Sequence, residues 1–348
     1  MYMQNKQIMK KLVSTWADGK TLPDNYVFPP GKRPGDHVVP TSQSIPVIDF
    51  SKSKHQDRNY IVQQIVQASQ HFGFFQVINH GVPRKLMEET RRVLKEFFEL
   101  PGEEKAKFCS VDLRKKFILF TSSIDYDTEA VHHWRDALRH SCTPIEECKK
   151  DWPLTPLNYR KVVGDYVVNL TELGSRILEL ICEGLGLERG YFEELSQVPL
   201  LTVNHYPACP DPSLTLGAGK HCDPNLITIL LQDDVSGLQV YNNGGWIGIE
   251  PIPDAFVVNI GYQLQIISNG KLRSVEHRVV TNAEEARTTA AFFIGPRNDC
   301  RVEPAKAVIS PENPAIYKGI QYADLVKTVR AAFTGQMDCA LKPHMIET

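Results

Sequence analysis

No stretch of this 348-residue chain approaches the roughly 18 consecutive apolar residues a membrane-crossing helix needs. The basic start KKLVSTWADGK lacks the continuous apolar region of a secretory leader. Neither sign of charge dominates, since 39 Lys and Arg face 41 Asp and Glu for a net charge of −2. That balance removes any electrostatic reason to expect nucleic acid or an anionic membrane as partner. The eight cysteines are scattered, with no CxxC, which argues against a disulfide frame or a zinc site. Reduced thiols in a cytoplasmic protein are expected instead. Repeats and low-complexity tracts are absent. What remains, 42% hydrophobic and 23% charged, is a soluble globular composition with length for a sizeable core.

The hydrophobic pattern changes period along the chain. A short amphipathic segment (Ile8, Leu12, Trp16) and a Pro/Gly-rich connector precede IPVIDF, which reads as a strand. Helical spacing at Ile61, Ile65, Val66 and Ala68 predicts a helix over 57–72, and FFQVINHGVP a strand and turn. Residues 83–107 and 159–187 also read as helices. From about 200 onward, short β-rich runs alternate with turn signals: LLTVNHYPACP, LITILLQ, GLQVYNNGGWIGIEPIP, AFVVNIG, QLQIIS, SVEHRVV and TTAAFFIGP. That grammar belongs to a sandwich or barrel, and NNGG is a strong hairpin signal. A helical N-terminal layer packed on a double-sheet β core is expected.

The run KHCDPNLITILLQDD places His221 and Asp223 two residues apart, hence on one face of an extended segment. A second His-x-Asp, at His55 and Asp57, is accounted for by a helix start. In SVEHRVV, His277 lies between Val275 and Val279 on its own face and so points inward. Alone it would be an ordinary core histidine. Two imidazoles and one carboxylate with other positions open are nevertheless the ligand set of an oxygen-activating non-haem Fe(II) site. Ten residues on, Arg287 shares a strand face with Thr289, Ala291 and Phe293. A guanidinium buried among apolar groups is costly unless an anion meets it, and its fork suits a carboxylate. A dicarboxylate chelating iron at one end and pairing with Arg287 at the other accounts for all these residues together.

These motifs, with HFGFFQVINHGVP, NHYPACPDPSLTLGAGKHCDPNLITILLQDD and EARTTAAFF, resemble those of the plant Fe(II)/2-oxoglutarate-dependent dioxygenases over roughly residues 15–330. Within that family YDTEAVHHWRDALRHSC and ICEGLGLERGYF look most like hyoscyamine 6β-hydroxylase-like enzymes. The resemblance implies an α+β, mainly β fold: a double-stranded β-helix (jelly-roll) core under a helical N-terminal layer. It divides the chain at 1–198, 199–300 and 301–348, the last holding a C-terminal strand and lid helix. It makes His221, Asp223 and His277 the iron ligands, and Arg287 with Thr289 the 2-oxoglutarate clamp. Asn204 and Tyr206 of NHYP match cosubstrate contacts. Fe(II), 2-oxoglutarate and O2 are implied, with ascorbate as reductant. The pattern is departed from where Thr289 replaces the usual serine, Tyr262 follows Gly261 in place of aspartate, and His205 stands for tyrosine. Tyr262 is expected to face away from the pocket, and Cys222 away from the metal.

The substrate is less legible. Phe293 is a candidate wall, and KKFILFTSS (115–123) and IYKGIQYADL are candidate lids that would bring Phe117, Phe120 and Tyr322 to substrate. Trp134 and Trp246 are expected in the core. The expected activity is hydroxylation, or further desaturation, epoxidation or cyclisation, of a medium-sized plant specialised metabolite, an alkaloid being favoured. A flavonoid or terpenoid substrate, an oxidase that does not use 2-oxoglutarate, and a non-catalytic jelly-roll binding protein are the alternatives. A monomer is expected, with a small molecule as partner.

Overall fold

Two hydrophobic periods become two kinds of layer. The computed structural model describes residues 11–17, 21–35, 39, 45–52, 57–334, 337 and 339–346. Its first half contains β1 (Val47–Asp49), α1 (Arg58–His71), β2 (Phe74–Ile78), α2 (Arg84–Glu99), α3 (Gly102–Ala106), β3 (Phe117–Thr121), β4 (Asp136–Ser141), α4 (Ile145–Cys148) and α5 (Tyr159–Leu185). The helix expected over 83–107 is broken at Leu100, because the residue before Pro101 is pushed out of helical geometry. Asp57 occupies the N-cap position of α1 but makes no side-chain capping bond there. His55 and Ile8 lie outside the described residues.

The second half continues with β5 (Leu200–Tyr206), β6 (Ala218–His221), β7 (Ile227–Leu231), β8 (Leu238–Asn242), β9 (Gly245–Gly248), β10 (Phe256–Ile260), α6 (Tyr262–Ile267), β11 (His277–Val279) and β12 (Arg287–Ile294). A short pair, β13 (Arg301–Val302) and β14 (Ile320–Gln321), leads into α7 (Tyr322–Phe333). NNGG does turn the β8–β9 hairpin, with Asn243 and Gly244 at φ of 48° and 85°.

An eight-stranded sheet runs β1-β2-β10-β7-β12-β5-β4-β3, and a four-stranded sheet runs β6-β11-β8-β9. Pairing is antiparallel except between β1 and β2. Phe74, Tyr206 and Val257 of the large sheet meet Ala218, Leu238 and Val279 of the small one, so the two sheets share an apolar interior. The other face of the large sheet is covered by helices. Gly174 of α5 lies so near the sheet that an added Cβ would stand 2.1 Å from the Ile294 side chain. This is the expected α+β, mainly β jelly-roll with a helical layer.

Three expectations fail for physical reasons. QLQIIS is not a strand: it lies in α6, whose first amides donate to the carbonyls of Asp223 and Pro224. Periodicity cannot separate strand from helix in so short an apolar run. KKFILFTSS is not a lid but contains the edge strand β3, bonded along its length to β4. Alternation on β3 puts Phe117 on the helix side, against Phe97 and Phe108, so it does not reach substrate, whereas Phe120 faces the opposite way. Trp246 is not core. It sits half-buried on the β8–β9 hairpin beneath the Arg278 guanidinium, 4.2 Å from its ring centre. Trp134 is buried as expected, in ring contact with Trp16 and Tyr26.

Gly261 precedes α6 where an added Cβ would stand 1.9 Å from the Asn225 carbonyl oxygen, a backbone atom with no rotamer to escape into. Gly261→Ala is therefore expected to lower stability by about 1–3 kcal/mol. Gly245→Ala, which meets nothing within 4 Å, should leave a urea melt unchanged. Phe117→Ala is expected to cost about 3–5 kcal/mol in the same melt.

Candidate active site

β6 and β11 are antiparallel neighbours in the small sheet, and their register sets His221 directly opposite His277. The ladder shifts just beyond this pair, between His277 and Val279. Cross-strand pairing thus closes a separation of 56 residues to 4.2 Å between ring centres. Asp223 follows β6 by two residues, and its carbonyl accepts the Tyr262 amide at 2.7 Å. Its Oδ1 lies 3.7 Å from His221 Nε2 and 3.8 Å from His277 Nε2. One ligand atom from each residue falls within 4.8 Å of the other two, and no other such His/Cys/Asp/Glu group occurs among the described residues.

The surrounding bonds orient all three donors. His221 Nδ1 lies 2.8 Å from the Gly219 carbonyl, and His277 Nδ1 lies 3.2 Å from that of Val275. A carbonyl only accepts, so the proton belongs on Nδ1 and each Nε2 lone pair is free. Asp223 Oδ2 accepts from Thr228 Oγ1 at 2.6 Å and Asn259 Nδ2 at 2.9 Å, leaving Oδ1 between the imidazoles. Burial, followed by the neighbouring His277, holds His221 below the ordinary imidazole range and so favours its neutral form. Burial alone would raise the Asp223 carboxyl; the two imidazoles and the Thr228 and Asn259 bonds outweigh it and hold it below its ordinary value. Two imidazoles presenting Nε2 and a carboxylate presenting Oδ1, with outer-shell bonds in place, fit a divalent transition metal that keeps open positions. Cys222 points its Sγ toward the Ser274 carbonyl, away from this group.

Next along the large sheet, β12 pairs with β5 so that Arg287 faces Tyr206 and Thr289 faces Asn204. The four residues expected to hold the cosubstrate are therefore two adjacent cross-strand pairs. Arg287 is only 3% exposed, with Nε bonded to the Val235 carbonyl (2.9 Å) and Nη2 to Gln232 Oε1 (2.7 Å). Its guanidinium carbon lies 5.5 Å from the Tyr206 ring centre. The nearby Asp233 carboxylate accepts the Thr288 amide, and among the described residues no carboxylate comes within 4.0 Å of Arg287. Desolvation lowers the Arg287 pKa, as for a buried cation awaiting an anion. His205, on the opposite face of β5, stacks on Phe98 and contacts Thr288 Oγ1.

Both groups open into one cavity of about 760 Å³, the size of a small-molecule site. Phe120, Phe293 and Tyr322 line it, whereas Phe117 and Tyr262 do not. Part of IYKGIQYADL forms the start of α7, whose Phe333 edges His221 at 5.2 Å and stacks on His133 at 4.5 Å. Sequence reasoning missed Phe333, Arg135, Thr228 and Asn259. Asn259 carried a signal, a lone amide in AFVVNIG, and Arg135 another, in its i, i+4 spacing from Arg139. Phe333 carried none, because a helix's apolar face does not say what it covers.

The model of the 2OG-Fe(II) oxygenase superfamily matches residues 198–296, and that of the non-haem dioxygenase in morphine synthesis N-terminal matches residues 45–159. Hyoscyamine 6-dioxygenase of Hyoscyamus niger is 42% identical over 97% of this chain and 99% of its own. Flavanone 3-dioxygenase 2 of Oryza sativa subsp. japonica is 43% identical over 94% and 96%. The crystal structure of JOX2 in complex with 2OG, Fe and JA superposes with a TM-score of 0.81 at 34% identity, covering 92% of this chain and 93% of that one. With such identity spread over nearly its whole length, this chain belongs to the 2OG-Fe(II) oxygenases, enzymes that use iron and 2-oxoglutarate.

Proposed function

We propose that His221, Asp223 and His277 hold the Fe(II), that Arg287, Thr289, Asn204 and Tyr206 hold 2-oxoglutarate, and that the remaining cavity takes a medium-sized, largely apolar specialised metabolite for hydroxylation. The observation that carries this reading is the buried Arg287, without a carboxylate partner, in the same cavity as the three converging donors. Iron and 2-oxoglutarate supply the oxidising chemistry, with succinate and CO2 as coproducts. The chain's own residues supply placement. The Nδ1 bonds from His221 and His277 hold each Nε2 toward the shared centre, and Thr228 with Asn259 keeps Asp223 Oδ1 free. Arg287 offers two parallel donors to the far carboxylate, with the Thr289 hydroxyl beside it. Phe333 and Tyr322 exclude water from the side of α7.

Hyoscyamine 6-dioxygenase among the relatives supports an alkaloid substrate, and flavanone 3-dioxygenase 2 supports a flavonoid. All eight cysteines are free, which supports a reducing, cytoplasmic setting. Among the described residues no helix is long and apolar enough to cross a membrane.

The test is succinate release from the purified protein with Fe(II), ascorbate and 2-oxoglutarate across a metabolite panel; coupled product and succinate are expected, and none with iron bound would overturn the reading. Arg287→Ala is expected to cost about 2–5 kcal/mol of cosubstrate binding, raising the apparent KM for 2-oxoglutarate roughly 30-fold or more. Asn259→Ala is expected to weaken iron affinity by about 10–100-fold in a chelator competition. Removing the metal with a chelator should abolish succinate formation, and Fe(II) should restore it.

A further inference from the structure

The cavity's charges do not cancel. Five cationic side chains line it (Arg135, Arg139, Arg287, Lys327 and Arg330) against two carboxylates, Asp125 and Asp223. Arg330 is held by Asp125 through bonds of 2.5 and 3.1 Å, and Lys327 is held by Asp324 at 2.8 Å. Arg287 is assigned to the cosubstrate and Asp223 to the metal. Arg135 and Arg139 remain, four residues apart on one face of the β4 segment. Arg135 gives Nε to the Ser122 carbonyl (2.8 Å) and Nη1 to Asn204 Oδ1 (3.3 Å). Arg139 makes one long bond, from Nη1 to the Leu113 carbonyl at 3.5 Å. Among the described residues neither has a carboxylate within 4.0 Å, and Arg139 Nε and Nη2 have no acceptor.

Strand register places these groups as marks on a ruler. Across β12, β5 and β4 the rows read Arg287–Tyr206, then Thr289–Asn204–Ala137, then Ala291–Thr202–Arg139, then Phe293–Leu200–Ser141. Arg139 is thus one same-face step, roughly 7 Å, beyond the Thr289–Asn204 row, on the side away from Arg287. Phe293 and Leu200 form apolar walls at that end, Thr202 lies on Arg139's own row and Ser141 follows along β4, and Phe120 stands one row back beside Ala137. A half-buried guanidinium whose Nε and Nη2 make no bond among the described residues matches a carboxylate by geometry and charge. A protonated amine would meet the Arg139 cation there, while Asp125 is already engaged by Arg330.

Resting on the proposed cofactor assignment, we propose that the primary substrate is an organic acid whose carboxylate docks on Arg139, with Arg135 adding positive potential nearer the metal centre. This narrows the substrate class to an amphipathic carboxylate and disfavours a basic alkaloid.

The experiment is anaerobic calorimetry on protein loaded with Fe(II) and saturating 2-oxoglutarate, so that the probe acid cannot occupy the Arg287 end. The probes are 4-phenylbutanoate, its methyl ester and 4-phenylbutylamine. The acid is expected to bind about tenfold or more tighter than the ester, with the amine weakest. Arg139→Gln should erase the acid's advantage over the ester, and Arg139→Lys should restore part of it. Equal affinities, tighter binding of the amine, no acid binding at millimolar concentration, or an advantage that survives Arg139→Gln would overturn the proposal. The three-ligand comparison on the unmutated protein decides it even where a variant fails to fold. Failure of 2-oxoglutarate to bind the Fe(II)-loaded protein would overturn both readings; with it bound, equal affinities overturn this one alone.

Discussion

The antiparallel register that sets His221 against His277 is the constraint from which the rest of the site follows. Side chains on paired strands alternate with a period of two, so a slip of one residue would turn one imidazole out of the cavity. The same strand end fixes Asp223, because its carbonyl starts α6 and its carboxylate is tied to Thr228 on β7 and Asn259 on β10. The donor group therefore bridges both sheets. Close approach of Gly261 to Asn225 is needed for the same reason: a side chain there would push on the segment that carries the carboxylate.

A second consequence is electrostatic. The large sheet presents guanidiniums to the cavity from two of its strands, and the acids that might have neutralised them are used elsewhere. Asp233 serves the Thr288 amide, Asp125 serves Arg330, and Asp136 accepts the amides of Val13 and Ser14 from the N-terminal segment. Charges left unpaired in a partly desolvated cavity are costly, so a cavity built this way selects anionic ligands. The two anions proposed here, the cosubstrate and an acidic substrate, occupy successive rows of one sheet. The C-terminal α7 contributes Tyr322 and Phe333 as an apolar cover and keeps Lys327 and Arg330 paired at the rim.

Much of this was legible in the residues. His221 and Asp223 share a face by strand alternation, ligand chemistry joined His277 to them, Arg287 is conspicuous among apolar neighbours, and the resemblance added Asn204 with Tyr206. Phe120, Phe293 and Tyr322 line the cavity, and Phe117 was not separated from Phe120 because the strand's facing was unknown. QLQIIS misled because six apolar-rich residues satisfy either period, and backbone acceptors at Asp223 and Pro224 settle it as a helix. Trp246 misled because a large aromatic ring on a hairpin can be covered by an arginine rather than by the core.

By itself the sequence determined the local facts: the alternation that pairs side chains on a face, the turns at glycine and asparagine, and the identities of donors able to bind metal and carboxylate. Tertiary structure decided which donors meet and which charges stay unpaired. Register across strands distant in the chain places Arg139 one row beyond Asn204, and ion pairing across the cavity mouth leaves it and Arg135 without a carboxylate partner among the described residues. Both depend on distances between segments, which one-dimensional spacing does not contain.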